Sequence, residues 1–257
     1  MSETTYDRIG SGYGPNRRAD SRIAALIDAA LGDAASVVNV GAGTGSYEPV
    51  GREVVAVEPS ETMISQRPPD AAPVFRAGAE ALPFDDDSFD AGLAVLTAHH
   101  WPDLDRGVAE MLRVVRRRIV MVAFDTDALA DLWISADYFP EILSLKRPDG
   151  ADSQGLARRL PNPMVTPIPV PRDCTDLFFA AVWARPELLL DESVVSPMWV
   201  WQSISDSARE AGRARLASDL ESGAWDQRYG FLRGKAELDV GLRLVSSDLP
   251  GRTSATP

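Results

Sequence analysis

A chain of 257 residues with 38 acidic and 26 basic side chains carries a formal charge of −12, which argues against a nucleic-acid partner because binding a polyanion draws on a basic face. The length suits one large domain with an insertion. Cys174 is the single cysteine, so no internal disulfide can form and a reducing compartment, most simply the cytoplasm, is expected. No apolar stretch approaches the length of a membrane span, and the polar, glycine-broken segment from Met1 to Gly14 does not read as a secretion signal. These properties do not decide between monomer and homodimer.

The first predicted element is an amphipathic helix from Asp20 to Leu31, with Ile23, Leu26, Ile27 and Ala30 on one face, Asp20 or Ser21 as N-cap, and Gly32 ending it. Short apolar strands follow at Val37 to Val40 and Val54 to Val57. Ser60 caps a short helix through Gln66 that Pro68 and Pro69 stop. Further strands are expected at Val74 to Ala77, Asp90 to Leu96 and Ile119 to Phe124, with a helix from Leu104 to Val115 whose end carries Arg116, Arg117 and Arg118 as solvated cations. Strands alternating with helices imply a parallel, doubly wound α/β sheet. Only eight residues separate Gly45 from Val54, so the first crossover helix must be stunted, to about a single turn.

After Phe124 the pattern changes. Leu129 to Leu145 reads as helical and is followed by a proline- and glycine-rich section; Val165 to Val170 suits an edge strand, given Pro167 and Pro169. Cys174 to Leu190 and Ser205 to Leu220 look helical, Asp239 to Val245 offers a last strand, and residues 246–257 form a polar tail.

The segment VVNVGAGTGSYEP, Val37 to Pro49, places Gly41, Gly43 and Gly45 where a strand runs into a tight turn, and residues without Cβ let a ligand lie against bare backbone. The next strand ends in Glu58, an acid placed to accept hydrogen bonds from a ribose. A dinucleotide fingerprint would have Gly or Ala where Ser46 stands. The compressed G-x-G-x-G spacing, followed in order by Glu58-Pro59-Ser60, Ala79-Glu80-Ala81-Leu82-Pro83-Phe84, Ser88-Phe89-Asp90 and His99-His100-Trp101-Pro102-Asp103, resembles the class I S-adenosylmethionine-dependent methyltransferases, closest to the type 11 subfamily that includes quinone-ring methyltransferases. The resemblance covers residues 1–125 most fully.

It implies a Rossmann-like fold, a doubly wound, mostly parallel seven-stranded sheet with a helical lid after strand 5. Residues 1–257 would form a single domain, with a cofactor-covering segment at 1–20 and an acceptor-binding lid at 125–164. S-adenosylmethionine would be the cofactor, S-adenosylhomocysteine its product, and a small-molecule metabolite the acceptor. The resemblance assigns Gly41, Ala42, Gly43 and Gly45 to the amino-acid end of the cofactor and Glu58 to its ribose. Pro59 and Met63 would pack near the adenine, Ala79 and Glu80 would meet its edge, and Thr97 would close the site at the fourth strand's end. Tyr13 and Arg18 would cover the cofactor from the N-terminal segment, with Arg17 or Arg22 as alternative cations.

His99 and His100 are the only histidines and are the candidate catalytic residues, as a general base or as pocket walls. Adjacent residues in extended backbone point to opposite sides, so at most one is expected to face the cleft. Neither the histidine pair nor the acidic turn Asp85 to Asp87 has metal-site spacing, so no metal is expected. Trp133, Tyr138, Phe139, Trp199 and Trp201 either line the acceptor pocket or pack the core. Other readings are a rearrangement or cyclisation on the same cofactor, a NAD-dependent oxidoreductase, and a non-enzymatic cofactor sensor.

Overall fold

The computed structural model describes residues 6–7, 17–145 and 147–250. Five strands, β1 (Ser36–Val40), β2 (Glu53–Val57), β3 (Val74–Phe75), β4 (Phe89–Val95) and β5 (Val115–Phe124), run parallel. The others are β6 (Pro163–Pro167), β7 (Val170–Pro171), β8 (Glu237–Leu238) and β9 (Leu242–Asp248). The main sheet has seven strands in the order β3-β2-β1-β4-β5-β9-β6, with β9 antiparallel to both β5 and β6. The strand order reverses between β1 and β4, and in open α/β sheets ligands bind at such a switch point, beyond the carboxyl ends of the strands.

Side chains alternate across the strands and fill two cores. Val37, Leu93, Val120 and Val122 pack on the side of helix α1 (Ser21–Leu31), whose Ile23, Ile27 and Leu31 are buried. Val38, Val57, Ile119 and Met121 face the other side, which α3 (Leu104–Val114) helps to cover through Val108 and Met111, and Met63 is the buried residue of α2 (Glu61–Ile64). Being covered on both faces, these strands read as continuous apolar runs. Asp20, Ser60 and Asp103 cap α1, α2 and α3 by accepting from the N–H groups of Arg22, Met63 and Arg106. Leu26, predicted for the buried face of α1, is 44% exposed.

Between β1 and β2 no helix forms at all. Residues 41–52 run as turns, and an ion pair replaces the missing scaffold: Arg67 donates to Glu48 and to the carbonyl of Gly43, while Glu48 also accepts from the N–H of Ala72. Arg116, Arg117 and Arg118 lie within β5 rather than at a helix end. They pair with Asp90, Asp33 and Asp248, because the strand begins as soon as α3 is capped at Val115.

The second half is more broken than its apolar content suggests. Leu129 to Leu145 is divided among the end of α4 (Thr126–Ala130), a π-helical turn at Ile134–Tyr138 and a 3₁₀ turn at Pro140–Ser144. Then comes α5 (Ser153–Arg159), and β6 takes the sheet edge. The expected helix at Cys174 to Leu190 is replaced by two 3₁₀ turns, Phe179–Val182 and Pro186–Leu190. Helices α6 (Glu192–Val195), α7 (Trp199–Ser203), α8 (Asp206–Ser222) and α9 (Ala224–Tyr229) complete the cap. Ser246 and Ser247 are buried in β9, not part of a tail, because they pair with β5 on one side and β6 on the other. Among the described residues no helix is long and apolar enough to cross a membrane.

Candidate active site

At the carboxyl end of β1 the chain turns through Gly41, Gly43 and Gly45 with φ of +70°, +53° and +89°. L side chains rarely adopt this region. Gly41 has a second constraint, since a Cβ there would lie 2.0 Å from Oγ1 of Thr97 at the mouth of β4. The N–H groups of Gly41 and Ala42 donate to the carbonyl of Val57, so the turn folds back over the end of β2. There the Glu58 carboxylate accepts from the N–H of Gly43 at 2.8 Å and of Ser60 at 2.9 Å. Burial raises the Glu58 pKa above its ordinary value, against the pull of these two N–H groups.

The glycine turn, Glu58 and the mouth of β4 surround a cavity of about 630 Å³. A second, of about 90 Å³, adjoins it, and Tyr6, Arg17 and Leu96 line both. Leu96 has φ of +51°, an unusual conformation for a branched side chain, placed where the two spaces meet. Arg17 is held by the buried carboxylate of Asp176, which also accepts from Tyr47.

Ala98–His100 forms a 3₁₀ turn, not extended backbone, so the two imidazoles lie side by side with ring centroids 3.9 Å apart. His100 lines the larger cavity and His99 the smaller one. His100 Nε2 lies 3.2 Å from the Tyr6 hydroxyl, and both rings pack against Trp199. Burial, assisted by the charge of Arg147, lowers His100 to about 4 and holds His99 well below its ordinary value, where the His100 charge contributes too. Both are therefore neutral near pH 7, and burial makes both weaker bases than a free imidazole.

Residues 38–122 match the family described as a methyltransferase domain. A solved structure described as a methyltransferase of an antibiotic biosynthesis pathway from Anabaena variabilis is 31% identical, covering 92% of this chain and 100% of that one, with a TM-score of 0.82. The chain belongs to the class I S-adenosylmethionine-dependent methyltransferases, type 11. It is an enzyme, and S-adenosylmethionine is its cofactor. A type II methyltransferase from Anaeromyxobacter dehalogenans (21% identity, 90% and 97% coverage, TM-score 0.52) shares the fold. So does the methyltransferase of Haloferax volcanii solved with its Trm112 activator (16%, 97% and 100%, 0.53). No curated protein matches the chain.

The methyltransferase brings most of the expected cofactor residues to one cavity. Gly41, Ala42, Gly43, Glu58, Pro59, Met63, Ala79, Glu80 and Thr97 are all among the residues that line it. Bare main chain beside a buried carboxylate suits the polar end and the ribose of the cofactor, and the mostly apolar remainder suits a base. Gly45 lies outside the lining, where it shapes the turn: its N–H donates to Ala42. Arg18 is exposed and outside it too, whereas the neighbouring Arg17 faces both cavities; Arg22 is engaged with Asp20 and Asp173. Tyr13 lies outside the described residues.

Of the candidate pocket aromatics, Trp199 lines the smaller cavity. Trp133, Tyr138, Phe139 and Trp201 are buried in the core instead, with Trp133 Nε1 donating to the carbonyl of Trp183. Sequence reasoning missed Tyr47, Leu96 and Arg147. Leu96 carries no local signal, because nothing in a leucine announces a positive φ. Among the described residues no cluster of three or more His, Cys, Asp or Glu could hold a metal ion, and Asp85 and Asp86 are exposed.

Proposed function

We propose that this methyltransferase acts on a small, partly apolar metabolite held in the smaller cavity, with the cofactor in the larger one. The observation that carries this reading is the junction at Tyr6, Arg17 and Leu96, which joins the cavity of the glycine turn to a second one lined largely by aromatic and aliphatic side chains. The chemistry that S-adenosylmethionine supplies when bound is an electrophilic methyl on a sulfonium, transferred by in-line displacement with S-adenosylhomocysteine as product. The bare backbone of the glycine turn lies against the amino-acid end, the Glu58 carboxylate takes the ribose hydroxyls, and Pro59 and Met63 flank the base. Positioning of donor and acceptor accounts for most of the rate enhancement.

His100 and His99 stand at the boundary between the two spaces, and each presents a neutral imidazole there. Either can take a proton from the acceptor as the new bond forms. Tyr6 keeps the His100 ring in place through its contact with Nε2. The net charge of −12 supports a small-molecule acceptor over a nucleic acid.

The test is chromatographic detection of S-adenosylhomocysteine on adding candidate acceptors. Acceptor-dependent product from apolar metabolites, absent with RNA or DNA, is the expected result. Product formed only with nucleic acid would overturn the reading. In W199A, acceptor KM should rise at least tenfold while the cofactor Kd stays within twofold, since Trp199 lines only the smaller cavity.

A further inference from the structure

Most arginines in this chain are matched with carboxylates, and Arg17, which shares the smaller cavity, is held by Asp176. Arg147 is placed differently. It lines that cavity half-buried, and among the described residues no carboxylate or carbonyl bonds its guanidinium. Its guanidinium sits over the ring of Trp199, whose centroid lies 5.6 Å from Cζ. Asp152 lines the same space but directs its carboxylate to the N–H of Gly155 at 2.6 Å, capping α5.

A desolvated cation without a counter-charge is costly to fold around, so its retention calls for a partner that arrives later. Burial alone lowers the Arg147 pKa, with no anion acting against it. The imidazoles of His99 and His100 are neutral neighbours, so they do not compete for a negative charge. Phe124, Phe178, Phe179 and Trp199 line the same cavity as Arg147, a lining suited to a flat ring.

We propose that the acceptor is an aromatic compound bearing an anionic oxygen, a carboxylate or a phenolate, and that Arg147 binds this oxygen beside the face of Trp199. The inference rests on the reading of the smaller cavity as the acceptor site. Arg147 supplies two parallel N–H donors to a carboxylate, or one to a phenolate, and Trp199 fixes the plane in which they point. A neutral isostere leaves the guanidinium unpaired and is rejected for that reason.

The test is calorimetry on the protein saturated with S-adenosylhomocysteine. The titrants are benzoate, phenylacetate and indole-3-carboxylate against their carboxamides, and 4-nitrophenolate against 4-nitroanisole. At least one anion should bind ten times or more tighter than its neutral partner. R147M should abolish that preference and R147K retain part of it, with S-adenosylhomocysteine affinity unchanged in both, which also reports that they fold. Equal binding within every pair, no binding by any compound, or a preference that survives R147M would overturn the proposal. Failure of the wild-type protein to bind S-adenosylhomocysteine would instead overturn the functional reading. The same anion titrations on the unliganded protein would still decide for or against Arg147.

Discussion

Arg67 and Glu48 form an ion pair at 2.5 Å with their side chains only 5% and 10% exposed, and this pair braces the loop where a crossover helix is missing. Arg67 also reaches the carbonyl of Gly43, so the brace is tied directly to the turn that lines the larger cavity. Removing one member of a buried pair strands the other, at a cost of about 3–5 kcal/mol. R67A should therefore lower the unfolding free energy by roughly that amount and weaken S-adenosylhomocysteine binding as well. Chemical denaturation and calorimetry measure the two effects, and a stability loss under about 1 kcal/mol would mean the loop is held by something else.

Glu58 should separate binding from stability. In E58Q the amide turns a donor toward one of the two N–H groups that the carboxylate now accepts, but it also removes a buried charge whose pKa is already raised by burial. These changes offset, and the unliganded protein should melt within a few degrees of wild type. Cofactor affinity should fall about 10- to 100-fold, the equivalent of about 1.5–3 kcal/mol for a hydrogen bond to a charged group. Unchanged affinity would remove Glu58 from the ribose site.

Two glycines with similar backbone angles distinguish crowding from strain. Gly41 and Gly51 have φ of +70° and +82°; a Cβ on Gly41 would strike Thr97, whereas one on Gly51 would meet nothing within 4 Å. G51A should cost only the backbone penalty, about 1–2 kcal/mol. G41A should cost more and displace the end of β4, with loss of cofactor binding. Equal denaturation midpoints for the two variants would contradict this.

The histidine pair makes stability depend on pH. Because His100 is lowered from 6.5 to about 4, the unfolded chain binds a proton that the folded chain refuses over that interval. The group's contribution is therefore complete above pH 6.5 and is lost as pH falls to about 4, a difference of about 3 kcal/mol at most. His99, shifted in the same direction, steepens the decline. H100Q should flatten the slope of unfolding free energy between pH 7 and pH 4 relative to wild type, and an unchanged slope would count against a buried neutral imidazole. If His100 accepts the proton in catalysis, the acid limb of kcat should also lie well below pH 6.5.

The first half of the chain was legible because local rules coincide there. Val37 to Val40 and Val54 to Val57 are apolar throughout, Asp20 and Ser60 are good caps, and Gly32 ends α1 at φ of +61°. The glycine turn and Glu58 were legible for the same reason, as residues whose types are demanded by their backbone setting. In the second half tertiary packing decides. The run from Phe178 to Ala184 is buried on every side, so it carries no periodicity to separate a helix from two short turns. The histidines were misjudged through their backbone, because a 3₁₀ turn was not visible in Ala98-His99-His100. Arg17 and Arg18 are indistinguishable by sequence, and only the pairing of Arg17 with Asp176 separates them.

The central placement of β9 also bears on how the molecule assembles. β9 inserts between β5 and β6, yet β6 ends at Pro167 and β9 begins only at Leu242. On a ribosome both flanking strands emerge first, each with unpaired backbone groups along the side that β9 later fills. Until then the nascent chain offers two open templates for intermolecular strand pairing, a hazard met by late-closing sheets. Its completion resembles driving a keystone between stones already set, and chaperone demand should be concentrated in that interval of synthesis.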